Sequence, residues 1–314
     1  MQSLFRKGGR IVDLRTQRKQ GFISGLGCNI WWGIMPIYWQ MLIPIASSTI
    51  IFYRIFTVAV VCFAAAFITY GKQEIFEPLK DRKLVARMLL AGILITINWS
   101  IYIWAVNANY VIQTCIGYYI EPIVVCLFGL VIFKEKLDNY KKISLAFALI
   151  GVVAVIIYFG QVPIIALGLA VSFAIYAAMK KGLSMPPLIS LFYETVFLAP
   201  FALAIIIYLE ATGQGAWGVG EPYQYWIMLL CGPFTALPLT LFANATNKLT
   251  LFTVGLLEYI SPTIALVVGI FVLNEAFEPI QIIAFGIIWI GLVFFSIGEY
   301  KESKTVKENY ERNN

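Results

Sequence analysis

The sequence predicts an all-α integral membrane protein of ten transmembrane helices arranged as two inverted five-helix repeats, and three observations carry that prediction. Of the 314 residues 60% are apolar and only 13% charged, with a mean hydropathy of +0.82; a water-soluble domain of this size cannot hide that much apolar surface. Lys and Arg fall in alternate connections only. The chain also aligns with itself, without a gap, at an offset of 140 positions.

The apolar content divides into blocks near the roughly 20 residues a helix needs to cross a bilayer. The first, 20–42, follows a segment 1–19 that carries Arg6, Lys7, Arg10, Arg15, Arg18 and Lys19. No small-residue cleavage site follows Met41 and the block exceeds a signal h-region, so it is expected to stay as a membrane anchor. Block 48–71 ends at Lys72, and block 84–107 begins after Lys80, Arg82 and Lys83. Blocks 110–133 and 139–159 meet around Lys134, Lys136, Lys141 and Lys142. Block 163–180 leads into Lys180 and Lys181, which read as loop charges. Blocks 188–209 and 223–246 flank a base-free, glycine-rich connection, with Lys248 beyond. Blocks 251–274 and 279–298 precede a tail with Lys301, Lys304, Lys307 and Arg312. The intervening connections hold no Lys or Arg, so the positive-inside rule places both termini in the cytoplasm. The pI near 9.0 is therefore a topology signal and implies no nucleic-acid partner. Only Arg54, of 23 basic residues, is left at membrane depth.

The internal register is specific. Tyr119-Ile120, Pro122, Gly129, Glu135 and Ile150-Gly151 match Tyr259-Ile260, Pro262, Gly269, Glu275 and Ile290-Gly291. The same offset pairs Phe52-Tyr53 with Phe192-Tyr193 and Gly92 with Gly232. Each half holds an odd number of spans, so the second enters the membrane from the opposite side. The expected divisions are 1–19, a first repeat 20–161, a second repeat 162–299 and a tail 300–314. Inverted repeats can exchange two conformations, which favours a secondary carrier; a channel built by the same duplication is the rival.

Several motifs are set aside. Cys28, Cys62, Cys115, Cys126 and Cys231 form no Cys-x-x-Cys pair and there is no histidine, so neither a disulfide framework nor a His-based metal site is expected, and no cofactor is implied. Gly213-Gln214-Gly215-Ala216-Trp217-Gly218 spells a dinucleotide fingerprint but lacks the flanking strand, and reads as a flexible loop. No P-loop lysine motif is present.

Ionisable groups at membrane depth are costly and tend to line pathways or pair. Four stand out: Arg54, Glu121, Glu194 and Glu258. Arg54 and Glu194 follow Phe-Tyr at equivalent repeat positions. Arg54 suits a substrate carboxylate, or the two form a structural ion pair, or each snorkels to its own interface. Glu121 beside Pro122 and Glu258 four residues before Pro262 occur where proline frees backbone carbonyls. They are candidates for holding a cationic group, and with Glu194 for carrying a coupling proton. The aromatics Trp32, Tyr102, Tyr118 and Tyr259, with Asn98, complete the candidate substrate-binding set; Asn98 shares a helix face with Tyr102, as Thr114 and Tyr118 do with Glu121. Glu121 and Glu258 as a paired acid and base on a lipid-like substrate is the enzymatic rival.

Several phrases resemble the RarD group of the EamA family, within the drug/metabolite transporter superfamily. They are Trp31-Trp32-Gly33-Ile34-Met35-Pro36, Asn98-Trp99 through Ile103-Trp104-Ala105-Val106-Asn107, Gly117-Tyr118-Tyr119-Ile120-Glu121-Pro122, Ile165-Ala166-Leu167-Gly168-Leu169 and Glu258-Tyr259-Ile260-Ser261-Pro262-Thr263. The resemblance implies a ten-helix bacterial inner-membrane protein with a central cavity, in a superfamily of mostly metabolite exporters, some of amino acids. The chain departs from the family pattern at Glu121, where Asn is usual, at Glu258, where Gln is usual, and at Gln113, where Glu is usual. The implied partners are a small-molecule substrate and the lipid bilayer.

Overall fold

A computed structural model describes residues 14–107, 110–160, 164–183, 185–273 and 278–312. Arg6, Lys7 and Arg10 of the basic segment and Glu275 of the repeat fall outside them. Among the described residues every regular element is helical. The helices are α1 (Leu14–Gln40), α2 (Ser47–Phe76), α3 (Arg82–Asn107), α4 (Val111–Val131), α5 (Asn139–Phe159), α6 (Ile164–Lys180), α7 (Pro187–Val196) and α8 (Ala199–Ala211). There follow α9 (Ala216–Val219), α10 (Pro222–Leu229), α11 (Cys231–Lys248), α12 (Leu251–Glu258), α13 (Ile260–Phe271) and α14 (Pro279–Arg312).

Among the described residues, length and composition qualify 6 helical stretches as candidate membrane spans: Ser47–Lys80, Arg82–Tyr102, Asn139–Phe159, Pro222–Lys248, Leu251–Phe271 and Pro279–Lys301. A seventh is added if α7 and the stretch Ala199–Val219, bent by 55°, count as one. The molecule is thus a multi-pass membrane protein. The block expected at 188–209 is broken, because Pro200 in the first turn of α8 cannot donate to the preceding turn. At 17 residues α6 is ~25 Å long at 1.5 Å per residue, short of a ~30 Å hydrocarbon core. At the other extreme α14 passes the expected end at 298 and runs to Arg312.

The helices interlock across the chain. α1 lies against α11 and α13, α3 and α4 against α6, α2 against α7 and α11, α4 against α12, and α5 against α14. Two glycines permit the closest approaches. A Cβ on Gly92 would lie 2.0 Å from the carbonyl oxygen of Glu194, and one on Gly232 would lie 2.6 Å from that of Thr57. Close backbone contact of this kind replaces the hydrophobic drive that lipid cannot supply between helices.

The connection expected to be flexible is held. Gly213 takes φ 71 at the end of α8, and the Glu210 carboxylate accepts hydrogen bonds from the amides of Ala216 at 2.7 Å and Trp217 at 3.1 Å. Tyr53 donates to the same carboxylate at 2.5 Å. The turn becomes α9 because the Glu210 carboxylate satisfies its first amides.

Candidate functional site

The candidate residues gather around α3, the middle of α4 and the end of α12. On α3, Asn98 donates its amide to the Leu169 carbonyl at 2.9 Å and to Ser172 Oγ at 3.0 Å, fixing α3 on α6. One turn on, the Tyr102 ring lies 6.0 Å from that of Tyr118 on α4. These three, with Thr114, Gly117, Glu121 and Leu169, line a cavity of about 30 Å³. That is room for roughly one water molecule and not for a metabolite.

Glu121 points into this cavity and has no hydrogen-bond or ion-pair partner among the described residues. Glu258 closes α12 and is only 4% exposed, yet neither carboxylate oxygen has a partner. The two carboxyls are near enough to interact electrostatically. Their backbone settings differ. α4 runs unbroken through Pro122, whereas the regular helical hydrogen bonding is interrupted at Tyr259 between α12 and α13, with the backbone still right-handed there. Pro262 withholds the amide that would otherwise bond to the Glu258 carbonyl, so the break falls there. Tyr259 anchors it by donating to the Tyr119 carbonyl at 3.0 Å.

Arg54 lies on α2, beside the Tyr118 side of the cavity. Its Nε donates to Thr235 Oγ1 at 2.9 Å. Its guanidinium carbon stands 3.7 Å from the Trp99 ring centroid and 5.4 Å from that of Trp39. Aromatic faces tolerate a desolvated guanidinium. No carboxylate of a described residue lies within ion-pair distance, so its terminal nitrogens keep their donors for another partner.

Glu194 shares Arg54's sequence position but not its surroundings, and the ion pair between them is not formed. Lys180 forms a salt bridge with Glu194 Oε1, Ser190 donates to the same oxygen at 2.7 Å, and Tyr176 donates to Oε2 at 3.1 Å. Lys180 also donates to Ser190 at 2.7 Å. Sequence reading puts Lys180 in a loop; the structure makes it the last residue of α6, 1% exposed. Its charge is buried because the turn into α7 brings Glu194 back against it.

The structure therefore brings Asn98, Tyr102, Tyr118 and Glu121 together, with Arg54 and Glu258 at their sides. Besides Glu194, two candidates stand apart. Trp32 packs its ring against Phe242 at 5.5 Å and Phe173 at 6.1 Å, and Tyr259 is fully buried by its bond to α4. Thr235, which helps set the Arg54 guanidinium, is absent from the sequence-derived set, since nothing local marks a contact across 181 positions.

A family model described as the EamA-like transporter family matches residues 19–157 and again 162–297. An uncharacterized transporter of Bacillus subtilis, YojE, is 36% identical over 299 residues, covering 94% of this chain and 99% of its own. Protein RarD of Streptomyces exfoliatus is 33% identical over 290 residues, covering 91% and 90%. Protein RarD of Escherichia coli is 27% identical over 296 residues, covering 93% and 99%. A solved crystal structure shares the fold with a TM-score of 0.70 at 13% identity, covering 88% of this chain and 97% of that one.

Proposed function

Because the chain belongs to the RarD group of the EamA-like transporter family, we propose that it is a secondary carrier that exports small amino-acid-like or amphipathic metabolites. It works by alternating access between two inverted five-helix halves, ten spans in all, with both termini in the cytoplasm of a bacterial inner membrane. The contact pattern supports the two halves. Exchanging α1 with α6, α3 with α11 and α4 with α12 and α13 converts the α1–α11 contact into α6–α3, and α1–α13 into α6–α4. The α2–α7, α4–α12 and α5–α14 contacts map onto themselves. The twofold match of the family model points the same way.

The observation that carries the reading is Glu258, buried with both oxygens unpartnered beside a second carboxyl, Glu121. An uncompensated carboxylate at this depth costs several kcal/mol, so its missing partner is a cation, either a substrate ammonium or a coupling proton. Arg54, with its fork unfilled near Tyr118, supplies the matching place for a carboxylate. Glu194 is saturated by Lys180, Ser190 and Tyr176, which favours a structural role over proton coupling.

A thermal-shift screen of purified protein identifies a ligand by its stabilisation of the native state. Flux of that ligand into proteoliposomes across a pH series then tests the site. Glu121→Gln and Glu258→Gln should lose the pH dependence while exchange persists if they carry a proton, and lose binding at every pH if they hold an ammonium. Wild-type flux with wild-type pH dependence in both would falsify the assignment. Exchange accelerated by substrate on the far side separates a carrier from a channel, and unchanged recovery of the substrate separates both from an enzyme. Single cysteines at Trp217 and Lys304 should label from opposite faces; an impermeant reagent that reaches both in intact cells refutes the ten-span topology.

A further inference from the structure

Two residues on neighbouring helices bury oxygen atoms that no donor of a described residue reaches. Both carboxylate oxygens of Glu258, at the end of α12, lack a hydrogen-bond partner, and so does Oδ1 of Asn29 on α1. Asn29 is 1% exposed. Its amide cannot be turned over to relieve this, because Nδ2 donates to the Gly25 carbonyl at 2.8 Å and an oxygen in that place would be repelled. Oδ1 is thereby held as a buried acceptor.

The two residues come to the same level of the molecule. Gly25, Asn29 and Gly33 are spaced by four and share one face of α1. A Cβ on Gly25 would lie 2.8 Å from Leu257 Cδ1, and one on Gly33 would lie 3.0 Å from the Ser261 carbonyl oxygen. Asn29, midway between them, is therefore set against the stretch 257–261, which holds Glu258. Cys28, beside Asn29, lies in the electrostatic field of the Glu258 carboxylate, as do Cys126 and Glu121 on α4.

The backbone adds acceptors there. At the interrupted turn the Tyr259 amide donates to the Leu256 carbonyl at 3.4 Å rather than to that of Gly255, its partner in a regular α-helix. Pro262 offers no amide to the Glu258 carbonyl. Carboxylate, side-chain amide and main-chain oxygens suit a hard cation. Among the described residues no three His, Cys, Asp or Glu side chains gather as a transition metal would need. A proton would join only one pair of the oxygens, whereas a metal ion binds them together. The single Glu258 carboxylate matches a single positive charge, and the close helix packing at Gly25 and Gly33 favours a small ion.

We propose that Glu258, Asn29 and the carbonyls released between α12 and α13 hold a sodium ion. The inference rests on the reading above that the partner missing from Glu258 is a cation, and it names that cation. An interrupted helix that presents carbonyl oxygens at membrane depth suits the task, since the C-terminal end of α12 also carries partial negative charge. A proton on Glu258 competes with the ion for the same oxygens. Glu121, which points into the cavity, is left for a substrate ammonium.

The test needs no substrate. The full chain is purified in detergent without sodium, and its unfolding midpoint is followed while choline is exchanged for sodium or for potassium at constant ionic strength. Sodium should raise the midpoint by at least ~2 °C through binding to the native state, and potassium should not. Asn29→Leu and Glu258→Gln should each weaken the apparent sodium affinity at least ~10-fold, the scale of losing one charged contact. If either variant fails to fold, binding of radioactive sodium to the wild-type protein, displaced by unlabelled sodium and not by potassium, decides the same point. Equal midpoints in sodium, potassium and choline would overturn the inference, as would a sodium shift that survives in both variants. Either result leaves the carrier reading standing; that reading fails instead if sodium binds as expected and no substrate exchanges in proteoliposomes.

Discussion

Arg54 and Glu194 stand 140 residues apart, each directly after Phe-Tyr, and the chain buries their charges in opposite ways. Around Glu194 three donors close on one carboxylate, and no polar atom of the group is left for a visitor. Around Arg54 the neighbours are rings and one hydroxyl, which hold the guanidinium in place while leaving its outer fork unsatisfied. Glu258 resembles Arg54 in this respect, since it is buried without partners. A saturated buried charge is architecture. An unsaturated one, kept against its desolvation cost, marks where a ligand belongs.

The largest effect should come from breaking the saturated side. Lys180→Met leaves the Glu194 carboxylate buried without its cation, and removing one member of a buried pair costs about 3–5 kcal/mol. The loss should appear as a lowered unfolding midpoint of the detergent-solubilised protein. Adding Glu194→Gln should recover most of it, because the deficit lies in the stranded charge. A Lys180→Met protein as stable as wild type would show that Lys180 and Glu194 are not structural partners.

The unsaturated side should respond in the reverse sense. Glu258→Gln removes a carboxyl that no protein group satisfies, so the unfolding midpoint should stay within the shift expected of ~1 kcal/mol or rise, while net flux of the ligand driven by a proton gradient falls at least tenfold. If stability collapses and flux per folded molecule is retained, Glu258 belongs with Glu194. Arg54→Lys keeps the charge but not the planar fork. It should weaken ligand binding by roughly tenfold, measured by the ligand's thermal shift, with little change in the stability of the empty protein.

Much of this contrast is hidden from sequence for a physical reason. The helical class is legible because bilayer thickness dictates block length, and the family is legible in phrases such as Gly117-Tyr118-Tyr119-Ile120-Glu121-Pro122. Asn98, Tyr102, Tyr118 and Glu121 can be grouped because helical spacing puts them on shared faces. Lys180 misleads, since the positive-inside rule counts a charge without asking whether a carboxylate fourteen residues later folds back onto it. The end of α14 is missed because hydropathy fades after 298, whereas the run of Lys and Glu that follows is good helix former. Trp32 and Tyr259 read as site aromatics, but which ring meets a cavity and which meets another helix depends on packing across the chain. The contacts of Thr235 and Trp99 with Arg54 are long-range and leave no local trace.

Thr235 gives the smallest and most selective test of the comparison. Its hydroxyl is the only hydrogen-bond acceptor recorded for Arg54 among the described residues, and it sits on α11, 1% exposed. Thr235→Val keeps the shape and removes the acceptor, leaving the Trp99 face to hold the guanidinium by stacking alone. The fork should then sample more orientations, and a ligand carboxylate must restrain it on binding. One such hydrogen bond is worth about 0.5–1.5 kcal/mol net, which is a factor of two to about ten in affinity. The half-saturating ligand concentration for flux should rise by that factor, while the maximal flux stays near wild type. Double-mutant analysis with Arg54→Gln sharpens the point. If Thr235 acts only by aiming Arg54, Thr235→Val should cost nothing further once the guanidinium is gone. An undiminished cost in that background would mean that Thr235 touches the ligand itself, or that α11 has moved, and the contrast between a saturated Glu194 and an aimed Arg54 would lose its second half.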